Sequence, residues 1–260
     1  MKFPKRNIET IVHNICTKNN IKYESLSEGF VLKLSQKKEI KYIYGYNFAC
    51  NDVSVSKLCD DKSATSELLA KQKIPCFEHH FFMRGFYKKT DIIKLFNLLN
   101  KNVVVKPNTG SSGVNVFHCT SLRKLFDCIK IILKENVNFA IAPFYDYEYE
   151  YRIIVYKNSP VVMYKKIRNH DWKHNLSVGT NISEDISDTV KKELIKFIKK
   201  VTDVLPINFF SIDIAKIDSK YKIVEINSGV MMEKYSQFNI KKTMEVYEKV
   251  IIDLFKWNQR

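Results

Sequence analysis

Residues 102–117, NVVVKPNTGSSGVNVF, contain the pattern on which the predicted fold depends. Three valines, at 103–105, predict a buried β-strand that ends at Lys106, and residues 114–117 predict the returning strand. The loop between them, residues 108–113, holds two of the seven glycines in the chain. Glycine lets backbone N–H groups approach a polyanion closely, and serine hydroxyls add donors. The stretch therefore indicates a phosphate-binding hairpin, although an ordinary hairpin with a loose loop has the same local pattern.

The overall composition is that of a globular chain. Of the 260 residues, 45% are hydrophobic and 27% are charged, which excludes a disordered protein. No apolar run approaches the ~20 residues that a membrane helix needs. The N-terminal residues are basic, but no apolar segment follows them. We therefore expect no secretory signal and a cytoplasmic location.

Cysteine usage and net charge limit the classes of site and partner. The six cysteines are scattered without a CxxC pair, which argues against a zinc–thiolate site and against a disulfide framework. The formal net charge of +15 favours an anionic partner, such as a nucleotide, an acidic peptide or an acidic carrier protein. The lysines occur in pairs along the whole chain rather than in one basic block, which argues against a nucleic-acid platform.

The first part of the chain predicts a small N-terminal lobe, residues 1–76. Apolar residues at helical spacing predict a helix over residues 6–19. Alternating apolar residues predict two short strands within residues 21–34 and a further strand at 42–48. Residues 6–48 are therefore expected to form one small sheet with one helix.

A second helix is predicted to begin within residues 60–65, DDKSAT, where an aspartate or serine can cap it. Lys62 lies at the start of this helix. A cation there is unfavourable against the helix dipole unless an anion lies nearby. The position therefore hints at an anionic ligand, while a solvated lysine is the plainer explanation.

Two further lobes are predicted after this helix, at residues 77–141 and 142–260. The first follows the order helix, strand, Gly/Ser turn, strand, helix, which is typical of a compact α+β unit. The second begins with strands, in one of which Glu150 and Arg152 share a face. Burying such charges is costly unless they are paired or bound, whereas a solvent-facing strand would carry them at little cost.

The last candidate site lies in residues 209–227, where two predicted strands are joined by a short turn. Glu225 and Asn227 are two residues apart and share a face, and Asp213 lies on the preceding strand. Oxygen ligands of this kind suit Mg²⁺, which prefers a few carboxylates together with phosphate oxygens and water. A solvent-facing polar hairpin is the alternative explanation.

Taken in chain order, these motifs resemble the ATP-grasp superfamily. The matching residues are Asp61-Lys62, Val105-Lys106-Pro107 with its Gly/Ser loop, Glu150-Tyr151-Arg152, and Asp213 with Glu225-Ile226-Asn227. The resemblance implies an α+β fold in which two α+β lobes clamp ATP, here with a reduced N-terminal lobe.

The resemblance also implies a role for each motif. Lys62 and Lys106 would contact phosphates, and the loop of Ser111, Ser112 and Gly113 would close over them. Adenine would lie against the backbone from Ala142 to Phe144, and the ribose would meet Glu150.

The remaining implied roles concern the metal and the acceptor. Mg²⁺ would be held by Asp213, Glu225 and Asn227. Arg152 and Arg168, with Lys106, would be catalytic, because the two arginines would meet the acyl group of the acceptor or the transferring phosphate.

Three functions follow from this resemblance. The first is a ligase that joins a carboxylate to an amine or thiol through an acylphosphate and releases ADP and phosphate. The second is an ATP-grasp kinase acting on a small anionic substrate such as an inositol phosphate, which the basic composition would suit. The third is a non-catalytic nucleotide-binding scaffold, which the intact Asp/Glu/Asn set argues against.

For the ligase, the expected partners are a carboxylate substrate and an amine or thiol nucleophile. The carboxylate could belong to a small molecule, a peptide or a carrier. No membrane partner is expected. The sequence leaves the oligomeric state open, a homodimer included.

Overall fold

The computed structural model of the protein describes residues 6–110, 113–169, 172–174 and 179–256. Within these residues the chain forms three antiparallel sheets and eight helices, which confirms the predicted α+β class. None of the helices in the described part of the chain is long and apolar enough to cross a membrane.

The N-terminal sheet has four strands in the order β1-β2-β3-β4 and is covered on one face by helix α1. The elements are α1 (Asn7–Lys18), β1 (Lys22–Leu26), β2 (Val31–Gln36), β3 (Glu39–Tyr44) and β4 (Asn47–Phe48). The predicted helix is confirmed, and its apolar stripe is buried. The single strand predicted at residues 42–48 is wrong, because Gly45 adopts a positive φ of 61° and turns the chain between β3 and β4.

Two helices connect this sheet to the next one, α2 (Val53–Asp60) and α3 (Lys62–Lys71). The side chain of Asp52 accepts hydrogen bonds from the first turn of α2, and Asp61 accepts one from Ala64 N at 2.8 Å. The predicted helix start at residues 60–65 is therefore confirmed. The sequence analysis did not predict α2.

The second sheet has the strand order β5-β8-β6-β7 and lies next to two helices. Its elements are β5 (His80–Phe82), α4 (Lys89–Leu98), β6 (Val103–Pro107), β7 (Phe117–Cys119), α5 (Leu122–Lys134) and β8 (Phe139–Pro143). The hairpin of β6 and β7 confirms the predicted arrangement around the Gly/Ser loop. The returning strand begins only at Phe117, because Val114 is 66% exposed and lies in the loop.

The third sheet has five strands in the order β11-β10-β9-β12-β13. Its elements are β9 (Tyr149–Tyr156), β10 (Ser159–Ile167), β11 (Asn181–Ser183), α6 (Asp188–Thr202), β12 (Phe209–Ile217) and β13 (Lys220–Asn227). Two helices, α7 (Glu233–Phe238) and α8 (Ile240–Lys256), follow it. Strand β9 is buried along nearly its whole length because both faces of this sheet are covered.

Three hydrophobic cores hold the sheets together. Ile154 and Tyr156 on one face of β9 pack in a core shared with α1, the N-terminal sheet and α8. Ile153 and Val155 on the other face pack in a second core with α6. The third core lies within the β5-β8-β6-β7 unit. The N-terminal strands therefore share a core with the last helix, and the lobe boundaries at residues 76 and 141 stay a proposal.

Candidate active site

A cleft of about 430 Å³ contains most of the residues that the sequence analysis selected. Its walls come from β6, β8 and their loops on one side and from β9, β10, β12 and β13 on the other. The selected residues that line it are Lys62, Lys106, Gly113, Ala142, Phe144, Glu150, Asp213 and Glu225. Ser111 and Ser112 lie outside the described residues. Asn227, Arg152 and Arg168 are near the cleft but do not line it.

Lys106 is the residue before the last in β6, and it lines the cleft. Burial, reinforced by the neighbouring charge of Lys62, lowers the pKa of Lys106 to about 8. The positive charges of Lys62 and Lys106 repel each other, and a polyanion bound between them would offset that repulsion. The pair therefore fits a phosphate-binding role.

The N-terminus of α3 is tied to the loop that follows β6. Lys62 Nζ donates a hydrogen bond to Gly110 O at 2.7 Å, and Lys62 N donates one to Asn108 O at 3.0 Å. The Asn108 side chain is buried, and its Oδ1 accepts from Ser63 N at 3.1 Å and Ser63 Oγ at 2.7 Å. The helix start thus lies beside the Gly/Ser loop, although the loop motif alone did not identify Asn108.

Glu150 is fully buried among polar partners. Its carboxylate accepts a hydrogen bond from Tyr147 Oη at 3.0 Å and forms an ion pair with Lys166 Nζ. Burial raises the pKa of Glu150 to about 7, although Lys166 opposes the shift. The pairing shows why this charged strand face can be buried.

Asp213 is the most strongly paired acid of the site. Its two oxygens accept a bidentate pair of hydrogen bonds from Arg152, at 2.7 Å from Nε and 2.5 Å from the terminal nitrogen, and Lys166 Nζ lies 3.0 Å away. Burial alone would raise the pKa of Asp213, but Arg152 and Lys166 outweigh it and hold the pKa well below its usual range. Arg152 therefore supports Asp213 here, and its contact with an acceptor remains a proposal.

Asp213, Glu225 and Asn227 are brought together as their strands predict. Asp213 faces Glu225 across β12 and β13, and Asn227 Nδ2 donates to Glu225 Oε1 at 3.1 Å. Glu225 is held more loosely than Asp213, because its nearest cation, Arg152, lies 3.9 Å away. Glu225 is also partly exposed to the cleft.

These donors fit a hard cation such as Mg²⁺. No group of three or more His, Cys, Asp or Glu side chains placed to hold a metal occurs in the described ranges. The candidate set is instead two carboxylates and one amide oxygen, which is the number of protein ligands Mg²⁺ accepts when phosphate oxygens and water complete its shell. The fit of the donor set supports the metal assignment, which stays a proposal.

The segment expected to face adenine lies where one side of β8 becomes unpaired. Strand β5 pairs with β8 only as far as Ile141, so the backbone from Ala142 onward has no partner on that side. Phe144 stacks on His118 with ring centroids 3.8 Å apart, and Trp172 lies edge-on at 5.6 Å from Phe144. Unpaired backbone beside a flat aromatic surface suits a purine.

Arg168 lies at the rim of the cleft. Its guanidinium donates to the Asp146 carboxylate, and its backbone N–H donates to Glu148 O at 3.1 Å. The side chain is about one quarter exposed. Its predicted contact with the acceptor would require the Asp146 ion pair to open.

Sequence reasoning missed Lys166, which contacts both Glu150 and Asp213. The signal was present in β10, where Lys166 shares its face with Val162 and Tyr164, both buried. A lysine on the buried face of a strand needs an acidic partner. His174, which stacks on Tyr147 at 4.1 Å, was also missed and had no comparable pattern.

Comparisons with known proteins agree with this geometry. Residues 59–250 match the RimK-like ATP-grasp domain family. No curated protein matches the sequence significantly.

Several solved structures have the same fold at low sequence identity. D-alanine–D-alanine ligase from Bacillus anthracis aligns with a TM-score of 0.61 and 15% identity, over 77% of this chain and 69% of that one. D-cycloserine synthetase DcsG aligns with a TM-score of 0.56 and 12% identity, over 74% and 70%. The ATP-grasp ligase PsnB, solved with a minimal precursor, Mg and ADP, aligns with a TM-score of 0.51 and 15% identity, over 74% and 56%.

The family match covers well over half of the chain, and the fold agrees with it. The chain therefore belongs to the RimK-like ATP-grasp domain family.

Proposed function

We propose that the protein is an ATP- and Mg²⁺-dependent ligase that joins a carboxylate to an amine or thiol through an acylphosphate and releases ADP and phosphate. The observation that carries the proposal is that one cleft holds both Lys62 and Lys106 and, opposite them, the facing pair Asp213 and Glu225. Cations for a triphosphate and acids for a metal are the two requirements of phosphoryl transfer. The D-alanine–D-alanine ligase and PsnB folds support the ligase class.

On the nucleotide side, each residue would act electrostatically. Lys106 and Lys62 would bind phosphate oxygens, and Gly113 with its loop would cover them. Ala142 to Phe144 would hold adenine, and Glu150 would accept a hydrogen bond from the ribose. Hydrogen-bond donors that are already in place stabilise negative charge more strongly in a partly buried cleft than in water.

On the metal side, Asp213, Glu225 and Asn227 would hold Mg²⁺. When bound, the ion would neutralise charge on the transferring phosphoryl group. Arg152 and Lys166 fix the Asp213 carboxylate in position, so its orientation is set before any ligand arrives.

The acceptor side rests on the two arginines. A carboxylate phosphorylated by ATP becomes an acylphosphate, and a nucleophile then displaces phosphate through a tetrahedral oxyanion. Arg168 at the rim and Arg152 beside Glu225 would stabilise that oxyanion. The reaction needs no covalent enzyme intermediate, in keeping with buried or half-buried cysteines throughout the described residues.

Incubation with ATP, Mg²⁺ and a metabolite extract, followed by mass spectrometry, tests the proposal. We expect ADP release that requires both a carboxylate and a nucleophile, and a product whose mass equals their sum less water. Glu225→Gln is the inactive control. A product that retains a phosphoryl group would instead support a kinase for a small anionic substrate, which the net charge of +15 favours. A cytoplasmic location is part of the same proposal.

A further inference from the structure

The N-terminal sheet has one covered face and one open face. Leu32, Leu34 and Ile43 point to the covered face and are fully buried against the first core. Strand register places the alternate residues on the opposite side, because paired residues of antiparallel strands point the same way. We call this side the outer sheet face. It comprises Lys22, Glu24, Leu26, Val31, Lys33, Ser35, Ile40, Tyr42 and Tyr44.

The outer sheet face exposes large apolar side chains in a continuous row. Along β3, Ile40 is 52% exposed, Tyr42 48% and Tyr44 62%. Phe30, 46% exposed, extends the row, because its ring meets Tyr44 edge-on at 5.0 Å. The open face of an antiparallel sheet is normally polar, and a contiguous apolar patch rich in tyrosine is typical of an interaction surface.

One end of this row lies beside the segment that follows β13. Tyr44 pairs with Asn47 on β4, so the two side chains lie on the same side of the sheet. Asn47 Oδ1 accepts a hydrogen bond from Ser228 Oγ at 3.0 Å. Ser228 directly follows Asn227, one of the proposed metal ligands. A chain bound along β3 would therefore end beside the residue that follows a proposed metal ligand.

The other end of the row is positively charged. Lys37 and Lys38 form the exposed tip of the β2–β3 hairpin, and Lys22 is exposed on the neighbouring strand. None of the three has an ion-pair partner among the described residues, in contrast to Lys33, which pairs with Glu24 at 2.9 Å. A ligand that covers the row thus meets uncompensated positive charge at the hairpin tip.

We propose that the outer sheet face is the docking surface for an acidic polypeptide segment whose apolar side chains cover Ile40, Tyr42 and Tyr44. The segment would run along β3 from the lysine tip to Asn47. This inference deepens the proposed ligase function, on which its link to the carboxylate substrate rests.

Two other occupants fit the surface less well. A nucleic-acid strand laid across the sheet would bring its phosphates against Glu24, which lies on the same face opposite Lys33. A second copy of the chain, bound through the same face, would bring two surfaces of the same positive net charge together. An acidic peptide has neither conflict.

Selection of random peptides displayed on phage, with the full-length protein as bait and without ATP, tests the inference. We expect enriched peptides that combine Asp or Glu with Leu or aromatic residues. A fluorescein-labelled copy of an enriched peptide should bind the double variant Tyr42→Ser/Tyr44→Ser about tenfold more weakly than the wild type, because aromatic side chains at an interface contribute much of the binding energy. The double variant Lys37→Glu/Lys38→Glu should bind the peptide more weakly, and its peptide binding should depend less on salt concentration. Phe86→Ser, an exposed aromatic outside the surface, is the matched control and should bind normally.

Four outcomes would overturn the inference. The first is that no peptides are enriched over an unrelated bait, and the second is that the tyrosine variant binds the peptide as well as the wild type does. The third is that no peptide is enriched while oligothymidylate binds the wild type and not the tyrosine variant. The fourth is that the wild type is a dimer and the tyrosine variant is a monomer. Folding of each variant is checked by circular dichroism. Because the assay omits ATP, its failure is separate from a failure of ligation, which the ADP and mass measurements report.

Discussion

Lys106 is the residue in which ligand binding and stability make opposite demands. Phosphate contacts from a lysine are charge-assisted, so we expect Lys106→Met to weaken ATP binding by roughly 1.5–3 kcal/mol in calorimetry. Lys94→Met, at an exposed position of α4, is the matched control and should bind ATP as the wild type does. Unchanged affinity in Lys106→Met would remove this residue from the nucleotide site.

The same residue should give the ligand-free protein a distinct pH dependence. Its pKa is lowered to about 8 in the folded state, from 10.5 in an ordinary environment. Between these values the unfolded chain holds more protons, so the contribution of Lys106 to stability increases as pH rises from 8 to 10.5. At pH 7 the buried charge costs up to about 3 kcal/mol.

Lys106→Met should therefore raise the melting temperature at pH 7, and its advantage over the wild type should shrink towards pH 10.5. Thermal unfolding followed by circular dichroism at several pH values measures both effects. A difference in melting temperature between variant and wild type that stays constant with pH would show that the pKa of Lys106 is not lowered.

The two acids of the metal pair should respond differently to neutralisation. Glu225→Gln loses only a 3.9 Å contact with Arg152 and keeps an oxygen for Asn227, so we expect a normal fold and no turnover. Asp213→Asn leaves the buried Arg152 without its bidentate acid and leaves Lys166 with Glu150 alone, which costs about 3–5 kcal/mol. Urea unfolding and ADP release measure the two properties, with Glu67→Gln on the surface of α3 as the control. Wild-type turnover in Glu225→Gln would contradict the metal assignment.

Among the structural elements, the junction of α3 with the loop after β6 decides how Lys62 is presented. Asn108 Oδ1 accepts both hydrogen bonds from Ser63, so Asn108→Ala leaves buried donors unsatisfied at a cost of about 1–3 kcal/mol. We expect a lower melting temperature and a higher KM for ATP. Asn108→Asp keeps the accepting oxygen beside a helix N-terminus and should retain both properties better. Equal effects of the two changes would exclude this explanation.

The strands, and the proximity of polar residues on them, could be predicted where the alternation of side chains along a strand and a short turn decide the arrangement. Asp213, Glu225 and Asn227 followed from strand spacing and one turn, and Lys106 followed from the end of a valine run. The pairing of Arg152 with Asp213, and of Lys166 with Glu150, could not be predicted, because it depends on β9 lying between β10 and β12. Strand order is set by the packing of distant segments, which a local pattern does not contain.

At the scale of the whole molecule, the N-terminal sheet and the last helix, α8, are part of one structure. The first core joins the N-terminal strands to α8, and the Glu233 carboxylate accepts from Asn7 N at 2.8 Å and from Tyr46 Oη at 3.1 Å. We therefore expect the amides of Leu34 and Val250 to lose hydrogen-exchange protection at the same denaturant concentration. The amide of Val105, in the third core, serves as an independent reference. Separate transitions for Leu34 and Val250 would contradict a shared unit.

The four charged side chains Glu150, Arg152, Lys166 and Asp213 also restrict how this protein can change over evolutionary time. Each contacts at least one of the others, so altering one leaves a largely buried charge with fewer partners than it has now. A series of single substitutions at these positions therefore passes through less stable intermediate sequences. In related chains, we expect these positions to change together rather than one at a time. A library that randomises the four codons together should recover folded variants that libraries of single substitutions miss.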